Sequence, residues 1–190
     1  MKKGKTMAIT EKEIELFRKK ALDLGASKAI LVSPREDLVF DDRTELLCFT
    51  CPHHNIKPCC PPYAPKIDYK EAIKKYEQGL IVILNFEFKD KEEFDRLRVE
   101  STNKLHKILL ELEKQAFERG NYFATSFIGG SCKLCLEGCT KECKQPALSR
   151  IPLEAARVDI VQTAKKCGID ISFPVKKEKR FSRVGLLLVR

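Results

Sequence analysis

A layered α/β (or α+β) fold is what this sequence predicts: a mixed sheet of four to five strands flanked by helices, with two cysteine-rich metal-binding loops. Three observations lead there. Stretches with helical apolar spacing alternate with short apolar runs of strand length. The 190 residues, 43% of them hydrophobic, suit one domain over 1–190 with one core. Eight of the nine cysteines fall within 45–67 and 129–147, where helix and strand patterning is poor.

The elements follow in order. Residues 1–8 form a basic tail. Thr10-Glu11-Lys12-Glu13 has the form of a capping box. Ile14, Phe17, Ala21 and Leu24 then recur at helical spacing, and Gly25 supplies a stop, so a helix is expected near 11–24. Ala29–Val32 is a short buried strand ended before Pro34, and Leu38–Phe40 is a second short one. Prolines 52, 58, 61, 62 and 65 remove backbone donors and fix φ, so no regular element is expected through 45–67. Tyr69–Gln78 is a short helix and Leu80–Phe88 a strong strand. Asp90–Arg119 is the longest helix. Phe94, Leu97, Leu105, Ile108, Leu112 and Phe117 lie along its apolar stripe, and Glu100–Lys104 is an i,i+4 pair. Tyr122–Ile128 is a strand with Phe123 and Phe127 inside. Pro152–Cys167 is a helix with Leu153, Ile160, Val161 and Ala164 inward, ended by Gly168. Ile171–Val175 and Val184–Val189 are the last strands.

Composition narrows the function classes. No apolar run approaches the ~18 residues of a membrane span. No apolar signal-peptide stretch follows the basic Met1–Thr6, so the cytoplasm is the expected compartment. The net charge of +9 admits a nucleic-acid or other acidic partner. No nucleic-acid motif accompanies it, and lysine-rich tails and solvated faces account for the excess more simply. Clustered cysteines in such a chain point to metal or redox chemistry rather than to disulfides.

The second group, Cys132, Cys135, Cys139 and Cys143, has the spacing C-x2-C-x3-C-x3-C. Four thiolates within twelve residues can converge on one centre, and sulfur ligands favour zinc or an iron–sulfur cluster. Zinc sites usually space two C-x2-C pairs widely. This run is closer to the ferredoxin pattern C-x2-C-x2-C-x3-C-P, which favours a 4Fe-4S cluster, with zinc as the alternative. Gly129, Gly130 and Gly138 permit tight turns beside such a group. The first group opens with the hook Cys48-x2-Cys51 and continues to the adjacent pair Cys59-Cys60. Adjacent cysteines do not bind one ion equivalently, so Cys60, which begins a Cys-Pro-Pro turn, is preferred to Cys59. His53 and His54 are either ligands or solvated loop residues. His106 and Cys167 read as packing residues. Arg150 can neutralise an anionic cluster, while Glu154 reads as an ordinary acid in a first helical turn.

Three stretches carry a family resemblance over roughly 25–190. They are Cys48-x2-Cys51-Pro52 with Cys60-Pro61-Pro62-Tyr63-Ala64-Pro65; Gly129-Gly130-Ser131-Cys132-Lys133-Leu134-Cys135 through Cys139 and Cys143-x2-Pro146; and Ser149–Ile160 with Thr163. On these residues the chain resembles the DUF2284 family of cysteine-rich, metal-binding proteins. His54-Asn55 stands where that family tends to carry Tyr-Gly. The resemblance implies a bound metal and leaves the reaction open. Combined with the spacing, the expectation is one or two 4Fe-4S clusters: one on Cys132, Cys135, Cys139 and Cys143, the other on Cys48, Cys51 and Cys60, with Cys59 less fixed. Such a protein would serve anaerobic redox metabolism as an electron carrier or a cluster-dependent enzyme. Lys133, Lys141 and Lys144 would guide an acidic redox protein. The competing expectation is a zinc-stapled module contacting an acidic protein or nucleic acid.

Overall fold

The computed structural model describes residues 11–171 and 179–190. Helix α1 spans Glu11–Asp23, strand β1 Lys28–Val32, helix α2 Arg43–Phe49 and helix α3 Tyr69–Ile73. Strand β2 spans Gln78–Glu87, helix α4 Lys91–Glu118, strand β3 Thr125–Ile128, helix α5 Ile160–Lys166 and strand β4 Arg180–Val189. The four strands form one sheet in the order β1-β2-β4-β3, and every neighbouring pair is antiparallel. The layered class holds, in its α+β form: antiparallel pairs replace the mixed sheet that was expected.

Strands β2 and β4 lie centrally and are covered on both faces, which explains their unbroken apolar runs. Leu80, Val82 and Leu84 of β2, with Leu187 and Val189 of β4, pack against Phe17 of α1 and Leu105, Leu109 and Leu112 of α4. Ile81, Ile83, Leu186 and Leu188 enter the opposite layer, with Tyr69, Ile73, Leu153, Val158 and Ala164. Gly185 lets α4 lie close on the sheet: a Cβ there would stand 2.7 Å from Leu109 Cδ1. Asp90 caps α4 by accepting from the Glu93 N–H at 2.8 Å. The C-terminus of α4 is closed at Gly120, where φ is +85°.

Several expectations need correction. A helix, α2, reaches into the first cysteine stretch and places Cys48 in its last turn. No proline falls between residues 35 and 51, so nothing opposes the helix there. The 38–40 segment makes only an isolated bridge, Phe40 to Val158. Helix α3 ends at Ile73, and Gln78 already belongs to β2. Phe123 is 82% exposed and precedes β3, and Phe117 is 59% exposed. Glu100 pairs with Arg96 at 3.1 Å instead of with Lys104. The helix expected over 152–167 is confined to α5; turns occupy 153–157, and Val161 is exposed. The capping residue Thr10, the 1–8 tail and most of the strand expected over 171–175 lie outside the described residues.

Two ties place the cysteine loops at one end of the sheet. Ile128 N–H donates to Ile151 O at 3.1 Å and Leu153 N–H to Ile128 O at 2.7 Å, so the second loop leaves and returns beside β3. Arg157 pairs with Asp42 at 3.1 Å and Glu45 at 2.7 Å, which fastens α2 to the turn after that loop.

Candidate metal centres

The first loop is built from its own turns. His54 N–H donates to Cys51 O at 2.9 Å, Asn55 N–H to Pro61 O at 3.0 Å and Cys60 N–H to Lys57 O at 2.9 Å. Tyr63 and Ala64 N–H groups then both donate to Cys60 O. Asn55 takes φ +57°, a conformation asparagine tolerates. The Tyr63 hydroxyl donates to Asn55 Oδ1 at 2.7 Å, and His54 packs edge-on against Phe49 of α2. Proline supplies rigidity, and the turns supply the bonds that a helix or strand would have made.

This winding aims Cys48, Cys51 and Cys60 at a common cavity of about 150 Å³, also lined by His53, His54, Ser131 and Glu154. A broader cleft of about 480 Å³ shares Cys48, His54, Pro61 and Glu154 with it and is walled by Phe49, Pro65 and Tyr69. Burial, helped by Glu154 and Cys51, pushes the Cys48 thiol up to about 11. The same burial, with Lys57, Lys133 and Arg98 nearby, lowers the pKa of His53 and favours its neutral imidazole.

The second loop is built differently. Gly129 lets it leave β3 under β4: a Cβ there would stand 2.6 Å from Val184 O. Gly130 and Gly138 have φ of +74° and +92°. Gly138 N–H donates to Cys135 O at 3.2 Å, and Gln145 Nε2 to Leu134 O at 3.4 Å. Cys132, Cys135, Cys139 and Cys143 line one small cavity of about 10 Å³, and Cys59 of the first loop lines it with them. Burial raises the Cys139 pKa. Cys132 is raised to about 11, first by its contact with Cys59 and then by burial, with His106 opposing.

Cations gather between the cavities. Lys57 donates to the Cys132 carbonyl, and Lys133 Nζ to Ser131 O at 2.9 Å and Oγ at 3.2 Å. Burial pulls the pKa of Lys133 down to about 8, with Arg183, Lys57 and Arg98 adding repulsion. Glu154 is the carboxylate among them. It accepts from Gly130 N–H at 3.0 and 3.1 Å, and burial raises its pKa. It therefore ties the start of the second loop to the segment that follows that loop, and it lines the first cavity, where an ordinary first-turn acid was expected. Arg150 pairs with Glu113 of α4, Nε to Oε1 at 2.7 Å, and clasps the loop through the carbonyl of Ser149, a residue of the second cavity's wall, at 2.8 Å. Asp159 is the N-cap of α5. Lys133 is half-buried, whereas Lys141 and Lys144 are exposed.

His106 was overlooked as a site residue. It is fully buried on α4, its Nδ1 lies 3.0 Å from Thr102 O, and the ring favours the thiolate of Cys132. Its Nε2 makes no hydrogen bond of standard geometry among the described residues. A histidine on an apolar helical stripe was the available signal, and spacing alone does not tell such a residue from a packed one. Cys167 ends α5 and packs against the opposite sheet face, away from both cavities.

Among the described residues, no three or more His, Cys, Asp or Glu side chains are gathered in the way that holds a single metal ion. The donor chemistry nonetheless fits a metal–sulfur group. Three thiols line one cavity, five line the other, and half-buried Lys133 lies within electrostatic reach of Cys132. The second cavity is small, so its sparsely bonded loop must widen around any multi-atom group. No helix among the described residues is long and apolar enough to cross a membrane.

Fold and site together define a cysteine-rich α/β protein with two thiol-lined cavities at one end of an antiparallel sheet. The family model described as "Predicted metal-binding protein (DUF2284)" matches residues 10–189, and the chain belongs to that family. No curated protein and no solved structure matches it.

Proposed function

We propose that this is an iron–sulfur protein of anaerobic redox metabolism with two centres of unequal purpose. The observation that carries the reading is the separation of the thiols into two cavities, one lined by Cys132, Cys135, Cys139 and Cys143, the other by Cys48, Cys51 and Cys60. Bound 4Fe-4S groups would supply one-electron redox chemistry and, where an iron is left open, a Lewis acid. Five thiols line the second cavity, four of which suffice to close a cubane, and this suits electron transfer. Exposed Lys141 and Lys144 flank it and would draw an acidic redox partner.

The first cavity offers three sulfurs beside a cleft large enough for a small molecule, which suits a cluster-dependent enzyme. Its other walls support that role. His53, held neutral, and His54 can orient a ligand by hydrogen bonds. Phe49, Pro65 and Tyr69 give the approach apolar walls. Glu154, held by the Gly130 N–H, adds a carboxylate to the wall of both the cavity and the cleft.

Oxygen-free purification followed by iron, sulfide and zinc analysis tests the proposal. It expects iron with matching acid-labile sulfide and a broad visible band near ~400 nm. A colourless protein holding about one or two zinc ions would overturn it in favour of a zinc-stapled binding module.

A further inference from the structure

Residues 59 and 60 are both cysteine, both nearly buried at 8% and 7% exposure, and they face different cavities. Cys60 shares the first cavity with Cys48 and Cys51. Cys59 shares the second with Cys132, Cys135, Cys139 and Cys143. The division has a backbone cause. Cys60 N–H turns back to Lys57 O, and Cys60 O receives the Tyr63 and Ala64 N–H groups, so the chain is wound tightly at this point. Pro58 joins Cys59 in the second cavity wall, while Pro61 joins Cys60 in the first. The Cys59 thiol touches both Cys132, the buried member of the second group, and its neighbour Cys60, so it stands at the junction of the two thiol sets.

We propose that Cys59 is a sulfur of the second metal centre, lent to it by the first loop. The assignment rests on the metal–sulfur reading above and adds a residue that the second group's spacing does not contain. It makes the two loops one device. The second centre is completed only when the first loop is folded, and the two centres are joined by the single peptide between Cys59 and Cys60. Consecutive α-carbons lie about 3.8 Å apart, so this link is a short covalent path from one centre to the other.

The test uses the full chain, reconstituted with iron and sulfide without oxygen, as wild type, Cys59→Ser, Cys60→Ser and Cys135→Ser. Metal and sulfide per chain are measured, with electron paramagnetic resonance after dithionite reduction and circular dichroism to confirm folding. Cys60→Ser should lose the first centre's signal and keep the second's. Cys59→Ser should keep the first and shift or abolish the second, the same signal that Cys135→Ser abolishes. Loss of the first signal in Cys59→Ser, or two unchanged signals, overturns the assignment. Equal metal in Cys135→Ser and wild type would defeat the underlying metal–sulfur reading instead. Should Cys59→Ser fail to fold, Cys59→Ala at reduced temperature gives the same readings.

Discussion

The two cysteine loops solve the same problem by opposite means. The first, from Cys48 to Pro65, is wound by its own backbone hydrogen bonds, stiffened by five prolines and anchored to a helix that already carries Cys48. Its three thiols face their cavity without help. The second, 129–147, is held firmly at its ends, by the Ile128–Ile151 and Leu153–Ile128 bonds and by the Arg150–Glu113 pair. Between those ends lie few internal bonds, and its carbonyl and amide groups need partners that a bound group would organise. In the two-centre proposal the first loop would owe its winding mainly to the chain, and the second its shape mainly to the group it binds. The first arrangement suits an open position for a ligand. The second suits a closed centre whose binding energy is also folding energy.

Breaking the second loop's clasp should have the larger effect. Arg150→Met leaves Glu113 half-buried and without its guanidinium partner, and it releases Ser149 O. A loss of about 3 kcal/mol is expected, read as a lower denaturant midpoint, with metal lost from the second centre before the first. Equal loss from both would show that the loops are not independently held.

Glu154→Ala should cost less, about 1–2 kcal/mol, by leaving the Gly130 N–H unpaired, and it should loosen the start of the second loop. Glu154→Gln keeps an acceptor and isolates the charge. The folded-state pKa of Glu154 is raised above 4.5, so its contribution is fully present below that value and is lost as pH rises through the folded pKa. In the metal-free protein the wild type should therefore lose stability over that rise and Glu154→Gln should lose less. Thermal melts across pH 4–8 check this. Parallel curves would mean that Gly130 holds the carboxylate without strain.

Much of this architecture is legible in the residues. The 3.6-residue stripe of Leu105, Ile108 and Leu112 marks α4, and the unbroken Leu80–Leu84 run marks a strand covered on both sides, because periodicity reports burial directly. The cysteine spacing gives the second group for the same reason: ligands close in sequence need little else to converge. Three features are hidden. Proline density masks α2, which ends before the prolines begin. Phe123 looks internal by type, yet it falls in a turn that no packing layer covers. Glu154 looks like a helix-end charge and Arg150 like a counter-charge to a cluster, and their partners, Gly130 and Glu113, are fixed by where the second loop closes. That closure is a tertiary event with no local signature. The division of Cys59 and Cys60 between two cavities belongs to the same class, since a pair of identical neighbours does not announce which cavity each one lines.

Amide hydrogen exchange, followed by mass spectrometry on the metal-loaded and metal-free full chain, tests the contrast most directly. Metal removal should speed exchange in 129–147 by about a hundredfold, equivalent to about 2.7 kcal/mol of lost local protection, and in 51–64 by less than about tenfold. Identical exchange in the two states, or a greater change in the first loop than in the second, would contradict the account.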